Sequence, residues 1–303
     1  MNNLAYIGVD VSKAHLDVAS DLATQRYPNH PRAIAAWMKK LSPDSHLIVE
    51  ATGGYERPLV RACHRAGCPI SVLNPARVRS FARACGSIAK TDPIDAAVLR
   101  EFGRALQPKA SPEAAPAQRE LAELVSARDH LVVLQTQLTH ALEHAELPLV
   151  RQCFNSQLRS LEKRILKLEK AFLTCIRSSV ELTRRYDLLR SQPGIGLIIA
   201  AALLAFLPEL GAANRNQIAA LAGLAPYNRD SGQRHGPRFT GHGRPRLRRA
   251  LYMASLSAIR SPGGIADFYR RLRLSGKPAK VALIASARKL LCLLNSSLKS
   301  SPC

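Results

Sequence analysis

The chain has few aromatic residues: Phe, Trp and Tyr make up 5% of its 303 positions. That argues against a surface built mainly on stacking single-stranded bases. Acids are scarce too, with 22 Asp and Glu against 44 Lys and Arg, for a net charge of +22. No apolar run is long enough to span a membrane. The longest, Ile195 to Leu207, falls short of the ~20 residues a spanning helix needs. The seven cysteines form no CxxC pair and leave one over, so they read as reduced thiols of a cytosolic protein rather than a disulfide framework. Met1–Asp10 has neither a basic start nor a cleavage site, and no secretory signal is expected. No GxxxxGK[ST] motif occurs, so no nucleotide cofactor is expected. With 47% apolar and only 22% charged residues, the chain is not a disordered one.

The chain does have positive charge, unevenly spread. Residues 1–110 carry +6, residues 111–210 carry +1, and residues 211–303 carry +15. The densest stretch, Arg229 to Arg249, holds Arg229, Arg234, Arg238, Arg244, Arg246, Arg248 and Arg249 against Asp230. Guanidinium forks suit phosphates and base edges, so nucleic acid is the expected partner and these arginines are the candidate contacts. A solvated basic face is the plainer alternative.

Hydrophobic patterning divides the chain into three expected parts. In residues 1–110, Leu4–Val9 and His15–Ser20 read as strands and Pro31–Leu41 as a helix. His46–Val49 is a strand ending at Glu50, and a helix follows the Thr52-Gly53-Gly54 turn through Arg65. Cys68–Leu73 is a strand, and Pro75–Ala84 and Asp92–Leu106 are helices. The order βββαβαβα predicts a mixed sheet flanked by helices. Pro108–Pro116 holds three prolines in nine residues and is the expected linker. Residues 111–190 show 3–4 spacing of Leu and Ile, divided at Pro148. This predicts an antiparallel helical hairpin or a coiled coil, with an ordinary bundle equally open. Residues 191–303 read as mainly helical, with an irregular basic loop from Ala225 to Arg244. Pro193-Gly194-Ile195-Gly196 resembles a helix-hairpin-helix turn, in which Gly194 and Gly196 let backbone approach a phosphate. A simple packing turn is the alternative.

The acids of the first part sit in telling places. Asp10 and Glu50 end strands, while Asp92 and Asp95 open a helix with i, i+3 spacing that puts both on one face. Four carboxylates brought to one sheet edge repel one another unless cations neutralise them. Hard oxygen donors suit Mg²⁺, and two such ions about 4 Å apart serve phosphoryl transfer. Asp92 before Pro93 also makes a good helix cap, with Asp95 completing a box-like start. In the basic stretch, Ser231 precedes Gly232, and a serine beside a phosphodiester is a candidate nucleophile. On these residues alone a turn serine is the favoured reading.

Five motifs occur in order: Ile7-Gly8-Val9-Asp10-Val11-Ser12-Lys13, Glu50-Ala51-Thr52-Gly53-Gly54-Tyr55-Glu56, Ala89-Lys90-Thr91-Asp92-Pro93-Ile94-Asp95-Ala96, Pro193-Gly194-Ile195-Gly196, and Gly223-Leu224-Ala225-Pro226 through Arg229-Asp230-Ser231-Gly232. The chain thereby resembles the IS110 family of insertion-sequence transposases over roughly residues 4–290. The resemblance implies an RNase H-like (RuvC-like) first domain, a coiled-coil middle and a C-terminal transposase domain. It implies that Asp10, Glu50, Asp92 and Asp95 bind Mg²⁺ and that Ser231 forms a phosphoserine link to DNA. Lys13 and Lys90 lie within the same motifs and are further candidate nucleic-acid contacts. It also implies a structured bridge RNA pairing with target and donor DNA, and dimers assembling to tetramers in which acidic site and serine come from different subunits. The expected setting is the bacterial cytoplasm, at the nucleoid and away from membranes. The alternative activity is that of a Holliday-junction-type endonuclease with no covalent intermediate.

Overall fold

The computed structural model describes residues 4–21, 23–86, 92–228, 230–231, 234–236 and 238–299; of residues 92, 93, 230, 231, 234 and 235, only the backbone is described. The chain forms two compact units, 1–113 and 114–303, and their boundary falls within the proline-rich stretch.

The first unit is a five-stranded mixed sheet with helices on both faces. Its strands are β1 (Ala5–Val11), β2 (His15–Ala19), β3 (Thr24–Pro28), β4 (Ser45–Glu50) and β5 (Ile70–Leu73), in the spatial order β3-β2-β1-β4-β5. The first three form an antiparallel meander, and β4 and β5 run parallel to β1. Thr24–Pro28 is a strand for which the sequence reading named no range. Its largely exposed residues give no alternation of the kind that betrays a half-buried strand.

Side chains alternate across the sheet. Ile7, Val9, Val11, Leu16, Val18, Leu47 and Val49 bury against Ile34 and Trp37 of α1 (Pro31–Met38) and Leu59 and Cys63 of α2 (Arg57–Arg65). On the other face, Ile48 and Leu73 pack with Val78 of α3 (Pro75–Ala84) and with Leu99 and Phe102 of α4 (Asp92–Leu106). Each fully buried aliphatic side chain contributes on the order of 2 kcal/mol.

Two glycines let α4 lie close on the sheet. A Cβ on Gly8 would overlap the Ala96 carbonyl oxygen and the Arg100 backbone nitrogen. A Cβ on Gly103 would sit 2.7 Å from Ile48 and 2.8 Å from Tyr6.

The second unit is helical. The helices α5 (Pro116–Glu143) and α6 (Pro148–Arg177) form a hairpin. The cross-contacts Cys175 Sγ to the Ala117 carbonyl, Arg128 to Glu169, and Arg151 to the Leu142 carbonyl step in opposite directions along the two helices, so they are antiparallel. The α6 helix ends at Arg177, although the 3–4 spacing of Leu and Ile runs on to Leu182. Position 182 belongs instead to α7 (Val180–Arg190), capped where the Ser179 hydroxyl accepts from the Leu182 amide.

The α8 helix (Leu197–Phe206), with Ala200 to Ala205 buried, is the centre of one core. That core takes in Leu121 and Val125 of α5 and Phe172 of α6. It also takes in Leu251 of α10 (Pro245–Ala258) and Leu290 and Leu294 of α12 (Ala279–Lys299). The remaining helices are α9 (Arg215–Leu221) and α11 (Gly264–Leu274). Among the described residues, α12 is the helix long and apolar enough to cross a membrane, and half of its apolar window is buried.

The expected irregular loop is instead a nested ribbon. Strands β6 (Pro226–Tyr227) and β9 (Phe239–Thr240) pair at its base; β7 (Asp230–Ser231) and β8 (Arg234–His235) pair beyond them. The rings of Tyr227, Phe239 and His242 cluster at the base, His242 meeting the other two edge to face. Cys63, Cys68, Cys85, Cys153, Cys175 and Cys292 are free thiols.

Candidate functional site

The acidic residues of the first unit are brought to one edge by strand register. Val9 pairs with Val49, so Asp10 and Glu50, one step further, lie side by side near the ends of neighbouring parallel strands about 4.8 Å apart. Both lie on the α4 face, since Gly8, two residues before Asp10, abuts α4, and Ile48, two before Glu50, packs with Leu99 and Phe102. Asp95 directly precedes Ala96, whose carbonyl rests on Gly8. Three of the four expected carboxylates, Asp10, Glu50 and Asp95, therefore share one edge and one face. Asp92 opens the same helix.

Among the described residues, no three His, Cys, Asp or Glu side chains are close enough to form a ready metal cage. The arrangement is a shared edge rather than a closed cluster. Magnesium keeps several waters and takes only one or two carboxylates beside its phosphate ligands, so this donor set fits such an ion.

Several residues around this edge carry no obvious sequence signal. Asp17 is the cross-strand partner of Asp10 and lies on the same face, 4% exposed. Arg26 holds it with two bonds of 2.9 and 3.2 Å, offsetting one negative charge beside the acidic edge. The alternation of His15–Ala19 gives Asp17's face, but only pairing with β3 supplies Arg26.

Asn29 ties together the loops leaving β1 and β4, donating its side-chain amide to the Ser12 carbonyl at 2.8 Å and the Tyr55 carbonyl at 3.0 Å. Glu56 folds back onto the loop after Glu50. One of its oxygens accepts from the Thr52 amide, the Thr52 hydroxyl and the Gly54 amide at 3.1, 3.0 and 2.9 Å. These bonds fix the backbone from which Asp10 and Glu50 project. Below them, His46 bonds Ser71 at 2.9 Å, and burial pushes its imidazole below the ordinary histidine range. Lys13 is exposed in the β1–β2 turn; Lys90 lies outside the described residues.

In the second unit, Ser231 stands in β7, its backbone paired with Arg234. Arg229 lies outside the described residues, and the side chains of Ser231 and Arg234 are not described. Arg238 and Arg249 are exposed. Arg248 donates to the His242 carbonyl.

Two arginines turn inward. Arg244 grips Glu209 with bonds of 2.7 and 2.6 Å and donates to the Phe206 carbonyl. Burial opposes ionisation of Glu209, yet the Arg244 hydrogen bonds and charge outweigh it and hold the carboxyl below its ordinary range. Arg246 meets Asp129 at 3.2 Å and lies over the Phe206 ring, 4.2 Å from its centre. The charges of these two are therefore largely neutralised within the protein.

Gly194 makes a close packing contact. With φ +86°, a Cβ there would overlap the Ala254 carbonyl oxygen and lie 2.9 Å from the Ala258 nitrogen of α10. Gly196 caps α8.

The family model described as "Transposase", DEDD_Tnp_IS110, matches residues 7–154. The model of the transposase IS116/IS110/IS902 family matches residues 186–270. A protein named pilin gene-inverting protein from Moraxella lacunata is 27% identical over 94% of this chain and 93% of its own length. Its counterpart from Moraxella bovis matches to the same extent. An uncharacterized protein of insertion element IS116 from Streptomyces clavuligerus is 33% identical over 44% of this chain and 33% of its own length.

Proposed function

Because the chain belongs to the IS116/IS110/IS902 transposase family and is thus a DNA recombinase, we propose that it cuts and rejoins DNA through a divalent-ion site and a serine nucleophile. The observation that carries this reading is the strand register that sets Asp10 beside Glu50 on the sheet face covered by α4, the helix that bears Asp95. The strand order β3-β2-β1-β4-β5, with three antiparallel and two parallel strands, supports an RNase H-like first unit. The near full-length match to proteins named for inverting a pilin gene supports rearrangement of DNA as the outcome.

Asp10, Glu50, Asp92 and Asp95 would hold the ions, and Mg²⁺ is the fitting species. When bound, such ions lend positive charge to the phosphate and ease deprotonation of an attacking hydroxyl. Ser231 Oγ would lose its proton and form an ester bond to phosphorus as the bond to the leaving deoxyribose oxygen breaks. A strand hydroxyl attacking the same phosphorus then restores the serine. One phosphoester bond replaces another at each step, so no nucleotide cofactor is consumed.

Arg229, Arg234 and Arg238 surround the serine in sequence and would steady the phosphate charge. Arg248, Arg249, Lys13 and Lys90 are proposed contacts further along the nucleic acid. A structured bridge RNA would select target and donor DNA. Tetramers would supply the acidic edge and the serine from different subunits, in the bacterial cytoplasm at the nucleoid.

The test is incubation of the full chain with Mg²⁺, the RNA of its element, and target and donor DNA, followed by a denaturing gel. A protein–DNA adduct is expected from wild type and none from Ser231→Ala; Asp10→Asn is expected to lose strand cleavage. Free DNA ends without adduct, made equally well by Ser231→Ala, would replace this reading with a hydrolytic junction endonuclease.

A further inference from the structure

The two helices on the sheet face opposite α4 carry basic side chains and no acid. Along α2, Arg57, Arg61 and Arg65 are exposed at four-residue steps. Each step advances about 6 Å and turns the row only slightly about the axis. Leu59 and Cys63, on the opposite side of the helix, are buried in the core, so the arginine row points to solvent.

The hydrogen bonds of these guanidiniums run from Arg61 Nε to the Arg57 carbonyl and from Arg65 Nε to the Arg61 carbonyl. Among the described residues none of the three has an acidic partner within ion-pair distance. The neighbouring α1 adds exposed Arg32, with Lys39 and Lys40 just beyond its end, and it too lacks an acid. Glu56, at the head of α2, has its carboxylate engaged by the loop amides. A bare solvated surface ordinarily intersperses both signs; this face carries one.

The row has a direction. Arg57 lies against Gly54, with its Nε 3.4 Å from where a Cβ would stand. Gly54 belongs to the loop leaving Glu50. The row thus starts beside the loop that leaves Glu50, and Arg61 and Arg65 follow Arg57 along the helix by about 6 and 12 Å.

Along the two helices no Phe, Tyr or Trp ring is exposed, since Trp37 is buried and stacked on Tyr27; the half-exposed ring of Tyr55 lies in the loop ahead of α2. The face therefore meets backbone phosphates rather than unpaired bases. Because the strand being cut must enter at the acidic edge, we propose that the α1–α2 face is the docking surface for a duplex arm of the DNA substrate, with Arg57, Arg61 and Arg65 as its phosphate contacts. This rests on the acidic edge being the cutting site.

The experiment measures the affinity of the full chain for a 25-base-pair duplex of arbitrary sequence across a potassium chloride series, without RNA or divalent ion. Arg57→Gln/Arg61→Gln/Arg65→Gln is expected to bind about 10- to 100-fold more weakly, with a log–log salt slope shallower by about 2 to 3. The Arg→Lys triple variant, which keeps the charges, should restore most of the slope.

An unchanged slope in the glutamine variant would overturn the proposal, as would an equal loss in the lysine variant. A glutamine variant that keeps duplex affinity but loses affinity for a folded RNA of equal length would overturn it too, assigning the face to RNA. The binding readout is independent of chemistry. Failure of the acidic-edge reading is reported separately, by Asp10→Asn retaining strand cleavage.

Discussion

Gly8 sits two residues before Asp10 and shows how a residue without a side chain sets the site. Its missing Cβ lets the Ala96 turn of α4 rest on β1, and Asp95 is the next residue back along that turn. A methyl group there must push the helix off the sheet, and overpacking of this kind costs about 1–3 kcal/mol. Gly8→Ala is expected to lower Tm by several degrees and adduct yield by more than tenfold, because the carboxylates on α4 and on the strands no longer share an edge. Thermal melts alongside the denaturing-gel assay check this; wild-type adduct yield would mean that α4 spacing is not critical. Asn29 and Glu56 hold the loops after β1 and β4 by hydrogen bonds to backbone. In sequence they look like any polar turn residues, since an amide that bridges two loops 17 and 26 residues away leaves no local pattern.

The junction of α8 and α10 turns on charge. Arg244, at the start of α10, pairs with Glu209 in the turn after α8, and Arg246 stacks on Phe206. Because the folded-state pKa of Glu209 is lowered, its stabilisation is fully present above the ordinary carboxylate value. It is lost as pH falls through the lowered folded value. Both partners are about one third exposed, so solvent screens the pair and its net worth is on the order of 1 kcal/mol. Arg244→Gln is expected to melt a few degrees lower at pH 7. The gap to wild type should narrow as pH falls below the ordinary carboxylate value; melts at stepped pH measure it, and a constant gap would deny the pair its role. The arginine-rich segment looks uniform in composition. Folding sorts it into inward, carboxylate-bound members and outward ones such as Arg238 and Arg249, according to which side of α10 or the ribbon each occupies.

Across the whole chain, the boundary of the two units follows Glu113. The preceding segment is tied to the first unit, with the Ser111 amide donating to the Ile70 carbonyl and the Ser71 hydroxyl to the Lys109 carbonyl. The helix beyond, α5, shares the core of α8. Glu113 is exposed between them. A glutamate-specific protease at low dose is therefore expected to give fragments 1–113 and 114–303, each resistant to further cutting, read by mass spectrometry. Early cleavage inside α5 or α6 would contradict a second unit built as one piece.

The alternation of apolar residues and the positions of glycine and proline wrote the sheet, the long helices and the proline-rich boundary into the chain, because those features depend on neighbours a few residues away. The candidate carboxylates were picked out for the same reason: each lies near the end of a strand or in the first turn of a helix. Folding settled the rest. It turned the basic loop into a ribbon, packed Gly194 against α10, gave Asp17 its arginine, and lined up the bare arginine face of α2. Each of these depends on a partner far away in the chain, and such pairings exist only once the burial of apolar surface has fixed which elements touch.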